Sequence, residues 1–192
     1  MATAVRSKSI TITASAGIVI DYIDCALNTI LYLRGIYPAS QYKTIQKYGL
    51  SIQMSTDPEV QHYLKNNLSQ IKKWIIKDEF IRLCLVIKDA EGTEVENYEF
   101  RVQKKDDPNN RKEKRTIDAE IGAILRSIIV ACQSHSRLDS NHQFIIKVYR
   151  TPNSPLPYNW TEHEHVDFEV VHALDFGELL TGLHQVNSRE ER

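Results

Sequence analysis

Cysteine is scarce and scattered in this chain. Cys25, Cys84 and Cys132 are too far apart for a paired-cysteine metal motif or a disulfide frame, and read as small core residues of a reducing compartment. An excess of either charge is also missing: 24 basic residues against 25 acidic give a formal net charge of -1. That balance removes any global electrostatic case for nucleic acid or an anionic membrane as partner and leaves a protein. No uninterrupted apolar run approaches the roughly 18 residues of a membrane span, and MATAVRSKSITI has no apolar core for a signal peptide. The sequons at Asn67 and Asn159 accordingly read as chance matches. Glycine loops that cradle phosphate and nucleophile elbows are absent, so neither catalysis nor a cofactor is expected. A chain of 192 residues suits one domain around one core.

What is present centres on the stretch Leu31 to Leu50, LYLRGIYPASQYKTIQKYGL. Gly35 offers a left-handed cap to the helical pattern before it, and Pro38 forbids continuation, so the chain must turn. Arg34 places a permanent charge at the buried end of that helix and needs a carboxylate or several carbonyls. Glu96 is the candidate, because it shares a strand face with Tyr98, Phe100 and Val102.

In chain order, Ser9 to Thr13 reads as a weak edge strand, and Ser15 as the cap of a helix from Ala16 to Arg34 with Ile20, Ile23, Leu27, Ile30 and Leu31 on its apolar face. Tyr42 to Ser55 is extended, interrupted at Tyr48-Gly49 by a bulge or close contact. Asp57 caps a second helix with Pro58 at its first position and Val60, Leu64, Leu68, Ile71 and Ile75 as its stripe. Ile81 to Lys88 and Val95 to Gln103 form a hairpin around Glu91-Gly92. Gln103 to Arg115 reads as a solvated basic loop without the aromatics that base stacking needs. Thr116 caps a third helix, carrying Ile121, Leu125, Ile128 and Cys132 and widened by Ile117, Ile124, Ile129 and Val130, whose end at Gln133 to Arg137 emerges into water.

His142 to Arg150 is again a strand, after which Pro152, Pro155 and Pro157 stop the sheet, so that the last 35 residues behave as a separate unit. Within it His165 to Val171 alternates like a strand, whereas Leu179, Leu180 and Leu183 stand at near-helical spacing. Such mixed preference reads as irregular structure or as a segment with two packings. Glu162-His163-Glu164-His165 is a polar loop first and a zinc site only second. A hydrolase using His184 with Asp175 or Glu178 lacks any nucleophile motif.

Five segments together resemble the HORMA-domain family, most closely its spindle-checkpoint branch: Asn28-Thr29-Ile30-Leu31-Tyr32 leading into Arg34-Gly35-Ile36-Tyr37-Pro38, Gln46-Lys47-Tyr48-Gly49-Leu50, Trp74, Pro157 through Trp160, and Leu183-His184-Gln185-Val186-Asn187-Ser188. The resemblance implies an α+β fold, three helices on a mainly antiparallel sheet with a mobile C-terminal safety belt. It divides the chain into an arm over 1–14, a core over 15–150 and a belt over 151–192. It further implies a conformation-switching adaptor that entraps a short peptide of its partners and turns over no substrate.

The partners implied are an anaphase-promoting-complex activator, a kinetochore-bound checkpoint receptor and a checkpoint kinase-like subunit. Remodelling by an AAA+ ATPase with a HORMA adaptor, an open-closed self-dimer and a place in nucleus, kinetochore and cytoplasm are implied likewise. Carried over residue by residue, Phe144, Ile145, Lys147, Tyr149 and Trp160 are expected at the peptide, Arg34, Glu96, Leu183, His184, Val186 and Ser188 in the switch, and Arg126 at a dimer interface.

Two segments depart from the family pattern. Ala131-Cys132-Gln133-Ser134-His135-Ser136 replaces a threonine-rich turn, which argues against self-dimerisation there. Arg189-Glu190-Glu191-Arg192 replaces an apolar final strand, which predicts weak or altered closure. The translesion-polymerase accessory branch, hinted at by Ile52-Gln53-Met54-Ser55, is the runner-up.

Overall fold

The computed structural model describes residues 11–105, 112–136, 138, 141–152, 154–162 and 172–192. It contains helices α1 (Ile12–Leu33), α2 (Pro58–Ile76) and α3 (Lys114–Ser134), and strands β1 (Tyr42–Lys47), β2 (Leu50–Ser55), β3 (Phe80–Lys88), β4 (Glu94–Lys104), β5 (Gln143–Arg150), β6 (Ala173–Leu180) and β7 (His184–Glu191). β1 and β2 form a separate hairpin, and the other five make an antiparallel sheet in the order β5-β3-β4-β7-β6.

α1 is the middle of the molecule, packed against α2, α3, β2 and β7. It starts earlier than expected: Thr11 is the cap, its hydroxyl accepting from the Ala14 amide at 3.1 Å, so Ile12 and Thr13 are helical rather than extended. Ser15 lies inside the helix, freed for another task described below. Most of α1 is buried around its circumference, and the buried Asn28 accepts from the Ser55 amide through its side chain at 2.9 Å. Of the bulge or close contact expected at Tyr48-Gly49, the bulge is instead a two-residue hairpin turn with both residues at positive φ, 53° and 71°, as a tight connection of two right-twisted strands demands. The close contact is present, the Tyr48 carbonyl lying where a Gly122 side chain would stand.

α2 follows its sequence pattern closely. Asp57 accepts from the Glu59 and Val60 amides at 2.8 and 3.3 Å, and the whole predicted stripe is buried together with Trp74. α3 begins at Lys114, two residues before Thr116, with Glu113 in the cap position and no side-chain cap bond. Val130 is 66% exposed, so the apolar stripe is narrower than the sequence suggests.

The helices cover one face of the sheet. Leu83, Leu85 and Ile87 of β3, Tyr98, Phe100 and Val102 of β4, and Val186 of β7 point into that core. The largest departure is the chain's last segment, which is neither helical nor separate. β6 and β7 form a hairpin closed by Thr181-Gly182-Leu183, and β7 pairs with β4 along eight residues, from His184↔Lys104 to Glu191↔Asn97. Gly177, at φ 127°, carries a bulge that breaks the alternation of β6, and this disguises the strand in sequence. His163 to Val171 lie outside the described residues, so the strand and zinc readings there are not addressed. Among the described residues no group of three or more His, Cys, Asp or Glu side chains is placed to hold a metal.

Candidate peptide groove and clasp

Two regions of the sheet carry the candidate site residues, one at each side. On the first side β5 is an edge strand, and beside its open edge lies a groove of about 1440 Å³ bounded by α2 and by the segment from Leu156 to Glu162. That volume exceeds the roughly 300–1,000 Å³ of a small-molecule pocket and suits an extended chain. Phe144, Ile146 and Val148 turn inward and pack on the core, while Ile145, Lys147 and Tyr149 point to the opposite face of the sheet.

The ends of the groove are charged. Lys147 Nζ lies 2.5 Å and Lys88 Nζ 3.6 Å from Glu94 Oε1 at one end. At the other, Arg150 donates to Ser154 Oγ at 2.9 Å and meets Glu162 at 3.1 Å, tying the segment after β5 back to the strand. Trp160 sits edge-on to Trp74 of α2, with centroids 5.1 Å apart, and so fastens that segment across the groove. The Tyr149 ring carries the Arg82 guanidinium 4.0 Å above its centroid. Phe144 lies deeper than expected, its ring edge-on to both Tyr37 and Tyr63. Tyr63, Arg150 and Glu94 also line the groove and were not among the residues expected there.

On the other side the β6–β7 hairpin is held by polar contacts buried against the helices. Ser15 Oγ lies 2.6 Å from both Thr181 Oγ1 and His184 Nδ1, and Tyr22 Oη is 2.7 Å from Ser188 Oγ. Burial pushes the His184 imidazole below its ordinary pKa, the more distant Asp78 opposing and Lys104 assisting. Asp175 and Glu178 are exposed, whereas the His184 ring nitrogen meets a wholly buried serine; the residues of the hydrolase reading are not brought together. Val186 is core, while Leu183 belongs to the hairpin turn, its carbonyl accepting from the Lys105 amide at 2.8 Å.

Arg34 and Glu96 pair as their isolation in sequence demands. Nε and Nη2 of the guanidinium reach the two carboxylate oxygens at 3.0 and 2.8 Å, and both side chains are nearly inaccessible. Burial works against the Arg34 charge, and the hydrogen bonds and charge of Glu96 outweigh it, raising its pKa. The remaining donors go to the carbonyls of Cys132 and Ser136, so the end of α3 supplies acceptors to Arg34 while Gln133, Ser134 and Ser136 are exposed to water as expected.

β7 runs through Glu191, charged residues included. Arg192 donates to Glu96 at 2.8 Å and to Glu190 at 2.6 Å, and His135 Nε2 lies 3.0 Å from Glu190. On the opposite face Arg189 pairs with Glu99 and Glu191, and Asn97 donates to Glu191 at 2.9 Å. Arg189 and Arg192 therefore meet carboxylates of β4, Glu99 and Glu96, as well as the neighbouring Glu191 and Glu190. Arg126 stands exposed on α3, and Ile52 and Met54, the residues behind the runner-up reading, pack into the core.

A family model described as the HORMA domain matches residues 15–184. The chain belongs to the HORMA-domain family. Mouse "Mitotic spindle assembly checkpoint protein MAD2A" is 31% identical over 189 residues, 95% of this chain and 92% of that protein. Among solved structures, a chain of the "Crystal Structure of Mitotic Checkpoint Complex" superposes with a TM-score of 0.84 at 27% identity, covering 93% of this chain and 98% of that one. Caenorhabditis elegans HTP-2 bound to a HIM-3 closure motif superposes at 0.76 with 14% identity, over 94% of this chain and 90% of that one, and shows the shared HORMA fold.

Proposed function

We propose that this chain is a mitotic spindle assembly checkpoint adaptor of the HORMA type, which captures an extended peptide of its partners along β5 and retains it with the arm that follows. The observation that carries this is the placing of the two halves of the arm. The segment through Trp160 faces the open edge of β5, while the hairpin beyond it is docked three strands away on β4. A peptide added to β5 would gain main-chain hydrogen bonds along one edge and lie under that segment. Release then needs the arm to unpack, so affinity is expressed as slow dissociation.

In this reading Ile145, Lys147, Tyr149 and Trp160 contact the peptide, with Phe144 supporting the strand from beneath. Arg34, Glu96, Leu183, His184, Val186 and Ser188 hold the clasp shut, and Arg126 pairs an open with a closed subunit. The partition into a core ending at Arg150 and a belt after it follows the same logic. The adaptor's partners are an activator of the anaphase-promoting complex and a kinetochore receptor, and its places of work are nucleus, kinetochore and cytoplasm; it acts as an adaptor without turning over a substrate. The test is affinity capture from mitotic extract. Recovery of those partners by wild type, with loss on Trp160→Ala, is expected; recovery of a Pro-rich polymerase segment instead would transfer the chain to the accessory-subunit reading.

A further inference from the structure

The open edge of β5 is not vacant at every position. The Ile146 amide donates to the hydroxyl of Tyr63, 3.2 Å away on α2. Because backbone groups alternate along a strand, the amides of Phe144, Ile146 and Val148 share this outward direction, and Ile146 is the central one of the three. An incoming strand would pair with these same groups.

Tyr63 is also held in place. Its ring stands edge-on to Phe144 at 5.7 Å, and its carbonyl accepts from Asn67 one turn later in α2. The residue is 39% exposed and lines the groove, so the hydroxyl has somewhere to go when displaced. Exposed edges are templates for unwanted pairing, and natural sheets blunt them.

We propose that Tyr63 is a placeholder: its hydroxyl occupies the central donor of the β5 edge until a partner strand takes the Ile146 amide in its place. This rests on the peptide-capture reading. The hydroxyl and a peptide carbonyl compete for one N–H, so the contact slows pairing by segments that cannot complete the ladder on both sides of Ile146. It discriminates by backbone continuity rather than by side chain.

The experiment compares wild type with Tyr63→Phe, which keeps the ring and removes the competing oxygen. The probe is the tightest peptide selected against wild type from a random twelve-residue display library. The variant is expected to bind it about two- to tenfold more tightly, the worth of one neutral hydrogen bond, through faster association with unchanged dissociation. In the peptide-free proteins, hydrogen exchange at the Ile146 amide is expected to be faster in the variant. Equal or weaker binding by the variant, or a change confined to dissociation, overturns the placeholder while leaving peptide capture intact. Failure of wild type to select any peptide overturns capture itself, and the placeholder with it.

Discussion

Arg34 and Arg192 grip the same oxygen: each places Nη2 2.8 Å from Oε1 of Glu96. One guanidinium directly follows the first helix and the other the last strand, so a single carboxylate joins α1 to the β6–β7 hairpin. The chain of polar contacts continues through Arg192 and Glu190 to His135 at the end of α3. A buried pair of this kind adds little net stability; losing Arg34 leaves Glu96 to the partly exposed Arg192 and the Tyr98 hydroxyl, and that asymmetry suits a choice between two packings.

Arg34→Ala is expected to cost less than the roughly 3–5 kcal/mol of a fully stranded buried charge, because Arg192 and Tyr98 still reach Glu96, and to redistribute the protein between hairpin-docked and undocked forms. Circular dichroism should report unchanged helicity while ion-exchange elution shows a new conformer ratio. An unaltered elution profile would remove the pair from the switch.

Arg192→Ala should be milder, since its side chain is 29% exposed and water screens the loss; about 1 kcal/mol is expected. The readout is hydrogen exchange of β7 amides. Salt should erode protection in wild type, because the Debye length falls from about 10 Å at 0.1 M to about 3 Å at 1 M. The variant should be less salt-sensitive; equal sensitivity would make Arg192 a bystander.

These charges also show where sequence reading stopped. α2 was legible because its cap, its Pro58 and its stripe agree, and Arg34 with Glu96 because a lone charge on an apolar face demands its complement. Arg189 to Arg192 read only as the loss of an apolar final strand, because complementarity to Glu96, Glu99 and Asn97 exists only once β7 is paired with β4. The hairpin was hidden by the Gly177 bulge, which lets Phe176 and Leu179 both face inward at a spacing that mimics a helix. Tyr63 was unreadable as an edge contact because nothing local ties α2 to β5.

His184 is expected to make the docking of the β6–β7 hairpin sensitive to acid. Its pKa is lowered in the folded state, so at pH above its ordinary value of about 6.5 the imidazole is neutral in both states and its contribution is fully present. As pH falls below that value the undocked or unfolded form takes up the proton first, and stability is lost until the folded imidazole is protonated too. An NMR titration of the His184 ring should give a midpoint below the ordinary value, with Ser15 and Thr181 resonances shifting together with it. A midpoint at or above it would contradict the buried neutral assignment.

The central claim is that a partner's chain lies along β5 as an added strand while the hairpin stays on β4. Hydrogen exchange with and without a library-selected peptide tests it most directly. The account predicts that the outward amides of Phe144, Ile146 and Val148 become strongly protected and those of β7 remain so. A peptide that binds tightly yet leaves the β5 edge exchanging as before would contradict it.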